Sequence, residues 1–422
     1  MEGRTRTELL PGVFLTQIRT QKFKTGFLSA TLLRPLSKEE ASKNALLPRV
    51  LRRGTVEHPD MEKLAAVLDE LFGANIEVRI RRLGEVHCVG FVSSFIDDIY
   101  AGRDLLDGVA SLLGKLLLNP VTRGGRFLPE YVESERNKLL DRIRSQMNDK
   151  RYYSLLRMNQ IMCAGEPFGV DRLGTESAAA AITGSSLYKH YTDVLAHSSL
   201  EIFYCGSADP KQVELSVTAA LAGLPGGEKE PVKTRQGFAP EKTREKTETM
   251  DVSQCNLAIG FRTNCVAGEE AYPALLLANA IFGGSVSSKL FMNVREKLSL
   301  CYYASSALER HKGLMLVSAG IEKTNIDKAK NEIFAQLQAL CDGDISDDEL
   351  EGSRRELLSG LSSVSDSQAA LEDYWLAQTI AGTDMAPEQF AEKLAAVTKE
   401  QIVEAAKRIK PDTVYILKGA DA

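Results

Sequence analysis

Hydrophobic and polar positions repeat along the chain with a period of about 220 residues, far longer than the repeat of a solenoid. Each half begins with an apolar run typical of a buried strand (25–33 and 256–262) and ends in an isolated strand (201–206 and 413–419). Between these strands, the first half predicts helices at 45–53 and 61–72, a hairpin at 76–94 and an amphipathic helix at 99–118. The second half predicts the same order of elements: helices at 272–282 and 287–297, a hairpin at 300–320 and an amphipathic helix at 326–341. The chain is therefore predicted to be a duplication.

A stretch rich in glycine, proline and charged residues begins at residue 223 and separates the two halves. It predicts an N-terminal domain at 1–222, a linker at 223–245 and a C-terminal domain at 246–422. Hairpins alternating with amphipathic helices predict an α+β fold. We expect two homologous domains, each a mostly antiparallel sheet packed by helices.

The composition limits the classes of binding partner and the cellular compartment that can be expected for this protein. The 422 residues carry a formal net charge of −5, which gives no electrostatic reason to expect nucleic acid or an anionic membrane. No apolar run reaches the roughly 18 residues of a spanning helix, and the polar start of the sequence is unlike a signal peptide. The seven cysteines are scattered without C-x-x-C spacing, as is typical of buried free thiols. These features predict a cytoplasmic protein.

Two strings in the second half carry the most specific motif. Residues 293–303 read NVREKLSLCYY, and they follow FGGSVSSKLF at 282–291. Together with the duplicated halves and the linker, these strings resemble the insulinase-type M16 peptidase family (M16B-like) over nearly the whole chain. Residues 148–153 and 163–168 are most similar to the bacterial branch associated with 5-aminopentanol modification of elongation factor P.

The resemblance implies the LuxS/mitochondrial-processing-peptidase-like metallohydrolase fold, with two similar halves facing each other across a chamber. Active members hold zinc on the first half through an H-x-x-E-H helix and a downstream glutamate. An arginine and a tyrosine seven residues apart on the second half hold the substrate backbone and help to stabilise the tetrahedral intermediate. In some bacterial members these two functions are divided between two subunits.

The zinc-binding positions implied by this resemblance hold residues that cannot bind zinc. Counted back from the Gly-Thr pair at 54–55, and seven residues after the Glu-Arg pair at 135–136, the degenerate ligand and base slots are Ala45, Pro48, Arg49 and Arg142. Shifting the downstream register by one reaches Asp141, but one carboxylate does not make a zinc site. Because proline removes a helical hydrogen bond, the helix is expected to begin near Leu47 or to bend at Pro48.

Histidines elsewhere do not rebuild a metal site. The five histidines are His58, His87, His190, His197 and His311. None of them forms a pair at two-, three- or four-residue spacing, and only His190 and His197, seven apart, could share a helix face. We interpret them as surface or half-buried histidines.

The substrate-holding pair implied by the resemblance is retained as Arg295 and Tyr302. A guanidinium can donate two parallel hydrogen bonds to backbone carbonyls, and a phenol can donate to the oxyanion that develops at the scissile carbon. The structural alternative is a surface arginine that ends a helix and a strand tyrosine packed on a neighbour. The surrounding string favours the functional interpretation.

Two function hypotheses follow from this combination. The first is a non-catalytic subunit of a heteromeric M16-type metallopeptidase, which lends Arg295 and Tyr302 to a zinc-bearing M16 paralogue in a heterodimer that cleaves peptides. Zinc is then expected only on the partner, and this chain holds no cofactor or metal. The alternative is a pseudo-peptidase binding module or scaffold that captures a peptide or client protein without hydrolysis. An autonomous enzyme of another class finds no support, because the sequence lacks a Ser/His/Asp motif, a P-loop and a clustered acid pair.

Overall fold

The computed structural model describes residues 3–227, 229 and 232–420. Met1, Glu2, Asp421 and Ala422 lie outside the described residues, as do Glu228, Glu230 and Pro231 of the predicted linker. The chain forms two compact units that interleave along the sequence. Unit 1 comprises the chain up to Arg144 together with Val170–Lys233 and Gln368–Leu376, and unit 2 comprises Ser145–Gly169, Thr234–Ser367 and the chain from Ala377 onward.

Unit 1 is built on one sheet with the strand order β1-β2-β6-β3-β5-β4. Its strands are β1 (Arg4–Leu10), β2 (Val13–Arg19), β3 (Thr25–Pro35), β4 (Asn75–Leu83), β5 (Val86–Ile96) and β6 (Ser199–Gly206). Neighbouring strands are antiparallel except for the parallel pair of β2 and β6.

The sheet of unit 2 repeats this arrangement. Its strands are β7 (Arg244–Met250), β8 (Cys255–Arg262), β9 (Cys301–Glu309), β10 (Leu314–Ile321) and β11 (Lys410–Gly419). The order β7-β11-β8-β10-β9 has the same pairing sense, strand by strand, as β2-β6-β3-β5-β4, including one parallel pair of β7 and β11. The predicted duplication and the α+β class with mostly antiparallel sheets are confirmed.

Helices of the first half of the chain are α1 (Ala41–Leu51), α2 (Met61–Glu70), α3 (Asp98–Ala101), α4 (Leu106–Leu118), α5 (Pro129–Ser145), α6 (Lys150–Met162), α7 (Glu176–Ala180), α8 (Gly184–His197) and α9 (Pro210–Ala220). All of them but α6 belong to unit 1 and help to form its apolar core. The prediction of one continuous helix at 99–118 is wrong, because Gly102 adopts a left-handed conformation (φ 67°) that ends α3 before α4 begins.

Helices of the second half are α10 (Tyr272–Asn279), α11 (Ile326–Cys341), α12 (Asp347–Ser363), α13 (Gln368–Ala381), α14 (Pro387–Ala395) and α15 (Lys399–Lys407). Two stretches, Ala280–Gly284 and Leu290–Lys297, are wound as π-helix. Most of these helices pack on one face of the second sheet, where Leu257, Ile259 and Phe261 of β8 enter the core.

The opposite face of each sheet is covered by a helix from the other half of the sequence. In unit 2, Ala258 of β8 faces Met158 and Met162 of α6, so this contact is apolar. In unit 1, the covering helix is the first part of α13, and its contact includes a buried ionic cluster. Glu372 is 2% exposed and accepts hydrogen bonds from Arg79 (3.3 Å) and Arg81 (2.6 and 2.7 Å).

The remaining global features concern membrane contact and thiols. Within 3–227, 229 and 232–420, no helix combines the length and apolar character that crossing a bilayer requires. The seven cysteines all lie in the described part of the chain and are free thiols. Six of them are buried, and Cys341 is half-buried.

Candidate functional site

The helix α1 carries the three upstream slots of the degenerate zinc motif. It begins at Ala41, so the expected start near Leu47 is wrong and Pro48 lies inside the helix. Proline has no N–H, and the carbonyl four residues earlier, that of Asn44, therefore lacks its helical donor. Ala45 is 0% exposed and packs in the apolar core, Pro48 is buried, and Arg49 is half-buried.

The downstream slot, Arg142, lies on α5 with an exposed side chain. Glu135 lies seven residues earlier, on the same face of this helix. Its side chain is 7% exposed and binds Arg53 (3.4 Å) and Lys138 (2.7 Å). Asp141 is exposed and lies 3.9 Å from Arg144. Across the described residues, no group of three His, Cys, Asp or Glu side chains is arranged to hold a metal ion. The residues at the predicted zinc positions do not fit zinc, since they offer no imidazole, thiolate or carboxylate.

A buried polar network lies beside these slots. Asn44 on α1 lies between two histidines: its Oδ1 is 2.7 Å from Nε2 of His190 on α8, and its Nδ2 is 3.4 Å from Nδ1 of His87 on β5. The interpretation of the histidines as surface or half-buried is wrong for these two, which are 6% and 0% exposed, and for His311, which is 9% exposed. An apolar run around residue 87 was the sequence signal for burial.

Burial of this network makes the stability of unit 1 depend on pH. Desolvation lowers the pKa of His87 to about 3 and that of His190 to about 4, whereas an unfolded histidine titrates near 6.5. The unfolded chain therefore binds more protons between these values, and the free energy of unfolding should fall as the pH is lowered through this window. We expect His190→Gln to reduce that slope by at most about 1.4 kcal/mol per pH unit, measured by urea unfolding.

The matched control is His197→Gln on the same helix, where the side chain is 55% exposed. This control should leave the pH dependence as it is in the wild type. An unchanged slope in His190→Gln would show that the buried histidine does not titrate on unfolding.

Arg295 is presented by the second π-helical stretch, Leu290–Lys297. The N–H of Leu298 bonds to the carbonyl of Asn293, five residues earlier, which is the π-type hydrogen bond. Leu290 and Val294 anchor the stretch in the core with 0% exposure. The Arg295 guanidinium lies over the Phe291 ring (4.5 Å), with its Nε 3.4 Å from Glu296 and its side chain 40% exposed.

Tyr302 lies on a bulge of the edge strand β9. Tyr303 pairs with Gly320 and Cys301 pairs with Ile321, which leaves Tyr302 as the extra residue. Cys301 and Ala304 both enter the helix-covered core, so the bulge turns the two intervening tyrosines to the opposite face. Tyr302 is consequently 60% exposed and is not the packed strand tyrosine of the structural alternative.

The segment between these two side chains contains a third backbone irregularity. Ser299 has a φ of 50°, in the left-handed region that residues with a side chain rarely adopt. A π-helix, a left-handed serine and a β-bulge thus follow one another within Leu290–Tyr303. Such irregularities are concentrated at functional sites, where they aim particular side chains.

Tyr302 has one partner that the sequence did not suggest. Its hydroxyl donates a hydrogen bond to Oε1 of Glu322, 3.0 Å away, just beyond the end of β10. This hydrogen bond, and the charge of the carboxylate, raise the pKa of the Tyr302 phenol above its ordinary value. Glu322 is exposed and belongs to no recognisable motif, so only the β9–β10 pairing brings it to the tyrosine.

The fold defines a class: a duplicated α+β protein built on two mostly antiparallel sheets packed by helices. Residues 181–357 match the family described as "Peptidase M16 inactive domain". The chain is 34% identical over 408 residues to "Probable inactive metalloprotease YmfF" of Bacillus subtilis strain 168, covering 96% of this chain and 95% of that protein. The chain belongs to the M16 peptidase family.

Two further relatives extend the comparison. A crystal structure of a conserved protein from Enterococcus faecalis V583 superposes with a TM-score of 0.93 at 28% identity, covering 99% of both chains. "Uncharacterized zinc protease YmxG" of Bacillus subtilis strain 168 is 27% identical over 195 residues, which is 46% of each protein. The similarity therefore extends to proteins named as zinc proteases.

Proposed function

We propose that this chain is the non-catalytic subunit of a heteromeric M16-type metallopeptidase. A zinc-bearing paralogue supplies the metal and the general base, and this chain supplies Arg295 and Tyr302 to hold the peptide and to assist its cleavage. The two subunits form the heterodimer that the sequence predicts, and only the partner subunit binds zinc.

The observation that carries the proposal is the contrast between the two regions. In unit 1, the predicted ligand positions hold residues that cannot bind zinc, and Ala45 is part of the apolar core. In unit 2, the backbone that presents Arg295 and Tyr302 keeps three irregularities. A left-handed non-glycine residue alone costs on the order of 1–3 kcal/mol, and such strain persists where the surrounding structure requires it.

The exposure of the two side chains suits the roles proposed for them. A guanidinium that is 40% exposed on a buried helical base can reach backbone carbonyls of an extended peptide without unfolding its support. Tyr302 offers a phenol on the open side of an edge strand. Bacillus subtilis contains a relative named as an inactive metalloprotease and another named as a zinc protease, which supports the idea that two such chains occur together in a cell.

The first experiment is purification of the affinity-tagged chain from its native cell, followed by identification of the chains that remain bound. We expect a stoichiometric M16 relative with an intact H-x-x-E-H motif, and peptidase activity in the complex but in neither chain alone. A complex that lacks such a relative would support the alternative, a scaffold that captures peptide or a client protein without hydrolysis.

A second expected result concerns metal content. The purified chain should hold no stoichiometric zinc and should hydrolyse no peptide, because Ala45, Pro48 and Arg49 supply neither ligands nor a base. The measurement is elemental analysis after dialysis against a weak chelator, with a zinc-bearing M16 relative treated in parallel as the positive control. About one retained zinc ion per chain would contradict the degenerate motif.

A further inference from the structure

The hydroxyl of Tyr302 already donates a hydrogen bond in the free protein. A phenol has one proton to donate, and the Tyr302 proton goes to the Glu322 carboxylate at 3.0 Å. The same hydroxyl cannot donate to a developing oxyanion at that moment. A carboxylate 3 Å away would also repel the oxyanion, because like charges in one site destabilise each other.

The pair is held by strand geometry. The bulge in β9 sets Tyr302 on the open face, and the Cys301–Ile321 pairing fixes the end of β10, so Glu322 follows directly beside it. Both side chains are exposed, so the hydrogen bond can exchange when another charged group arrives. A positively charged group on a bound peptide would attract Glu322 and release the phenol.

We propose that Glu322, with Tyr302, forms a subsite for a positively charged group of the substrate peptide. The group is an ammonium or guanidinium, either from a lysine or arginine side chain or from the free N-terminus. This inference rests on the proposed function, since it assigns a substrate preference to the same pair. Glu322 is a specificity-determining residue: it binds the cation, and Tyr302 becomes free to donate.

The test uses the complex of this chain with its zinc-bearing partner and a set of unstructured peptides. In one arm, a single lysine is moved along an N-acetylated, otherwise neutral peptide. In the other arm, the neutral peptide is given a free N-terminus. We expect a cation at one position to raise kcat/KM by up to about fivefold over the neutral acetylated peptide, because one exposed ion pair contributes up to about 1 kcal/mol.

Glu322→Gln should abolish that preference and raise the rate on the neutral peptide, because an amide holds the phenol less tightly than a carboxylate. Glu404→Gln on α15 is the matched control, since Glu404 is an exposed carboxylate that binds Lys407 at 2.7 Å. The control should keep the preference. An equal preference in wild type and Glu322→Gln overturns the inference.

A second readout does not depend on activity. With tyrosine labelled by 13C at Cζ, the Tyr302 resonance is identified by its loss in Tyr302→Phe, and its phenol should titrate at lower pH in Glu322→Gln than in wild type. The lysine peptide should shift the wild-type resonance in the same direction, and absence of both shifts overturns the inference. Wild-type rates from both Tyr302→Phe and Arg295→Ala would instead overturn the proposed function.

Discussion

Tyr302→Phe should lower kcat of the reconstituted complex by about 10²-fold or more, the scale measured when one oxyanion donor is removed. The phenol is proposed to donate a hydrogen bond that forms in the transition state, so kcat and kcat/KM should fall together. The substitution removes one exposed hydroxyl from a bulged edge strand and leaves the ring in place. Steady-state kinetics on an unstructured peptide is the measurement.

Tyr100→Phe is the matched control, because Tyr100 is also an exposed tyrosine (54%) and lies in unit 1 on α3. It should leave both kinetic constants unchanged. Arg295→Ala should raise KM as well as lower kcat, since the guanidinium also grips the peptide backbone in the ground state. Wild-type rates from both the Tyr302 and the Arg295 variants would remove the catalytic-subunit proposal and leave the scaffold alternative.

The duplicated order of strands could be predicted from the sequence because it rests on local patterns. In β4, apolar residues at 76, 78 and 80 alternate with charged ones, and β5 and β10 are rich in apolar residues and buried along nearly their whole length. The turns of both hairpins are short. The position of the degenerate slots could also be counted along α1. These features need no knowledge of what the elements contact.

The packing of α6 on the second sheet, and of the first part of α13 on the first sheet, could not be predicted in the same way. An amphipathic pattern shows that a helix has an apolar face, but it does not say which sheet that face covers. For α13 the contact includes a buried carboxylate, that of Glu372, which a pattern of hydrophobic residues assigns to solvent. The burial of Glu372 follows from its two arginine partners on β4, about 290 residues away in the sequence.

The bulge at Tyr302 likewise could not be predicted from the sequence. Strict alternation from Ala304 would place Tyr302 in the core and Cys301 outside it, the reverse of what is found. One inserted residue therefore decides whether the proposed catalytic phenol is buried or exposed. The partnership with Glu322 depends on that same insertion, so it appears only with the register of β9 on β10.

Asp412→Asn should destabilise unit 2 by about 3–5 kcal/mol, the scale for breaking a buried ion pair by removing one partner's charge. Asp412 is 0% exposed at an irregularity in the β8–β11 pairing, and its carboxylate binds Nε of Arg262 (3.0 Å) and the guanidinium of Arg244 (2.5 Å). Burial alone would lower the pKa of the Arg262 guanidinium, but hydrogen bonds to Glu166 and Asp412 outweigh burial and raise it. In the Asp412→Asn variant, Arg262 would remain charged but would lose one of its two carboxylate partners.

Differential scanning calorimetry is the measurement, because it resolves the cooperative transitions of a chain that folds as two compact units. The transition of unit 2 should move down on the order of 10 °C, since about 1 kcal/mol corresponds to roughly 2–4 °C in a domain of this size. Glu404→Gln is the control, because it removes an exposed carboxylate of the same unit, and its transition should stay near that of the wild type. A small shift in Asp412→Asn would mean that Glu166, which binds Arg262 at 2.5 Å, neutralises the buried guanidinium without help from Asp412.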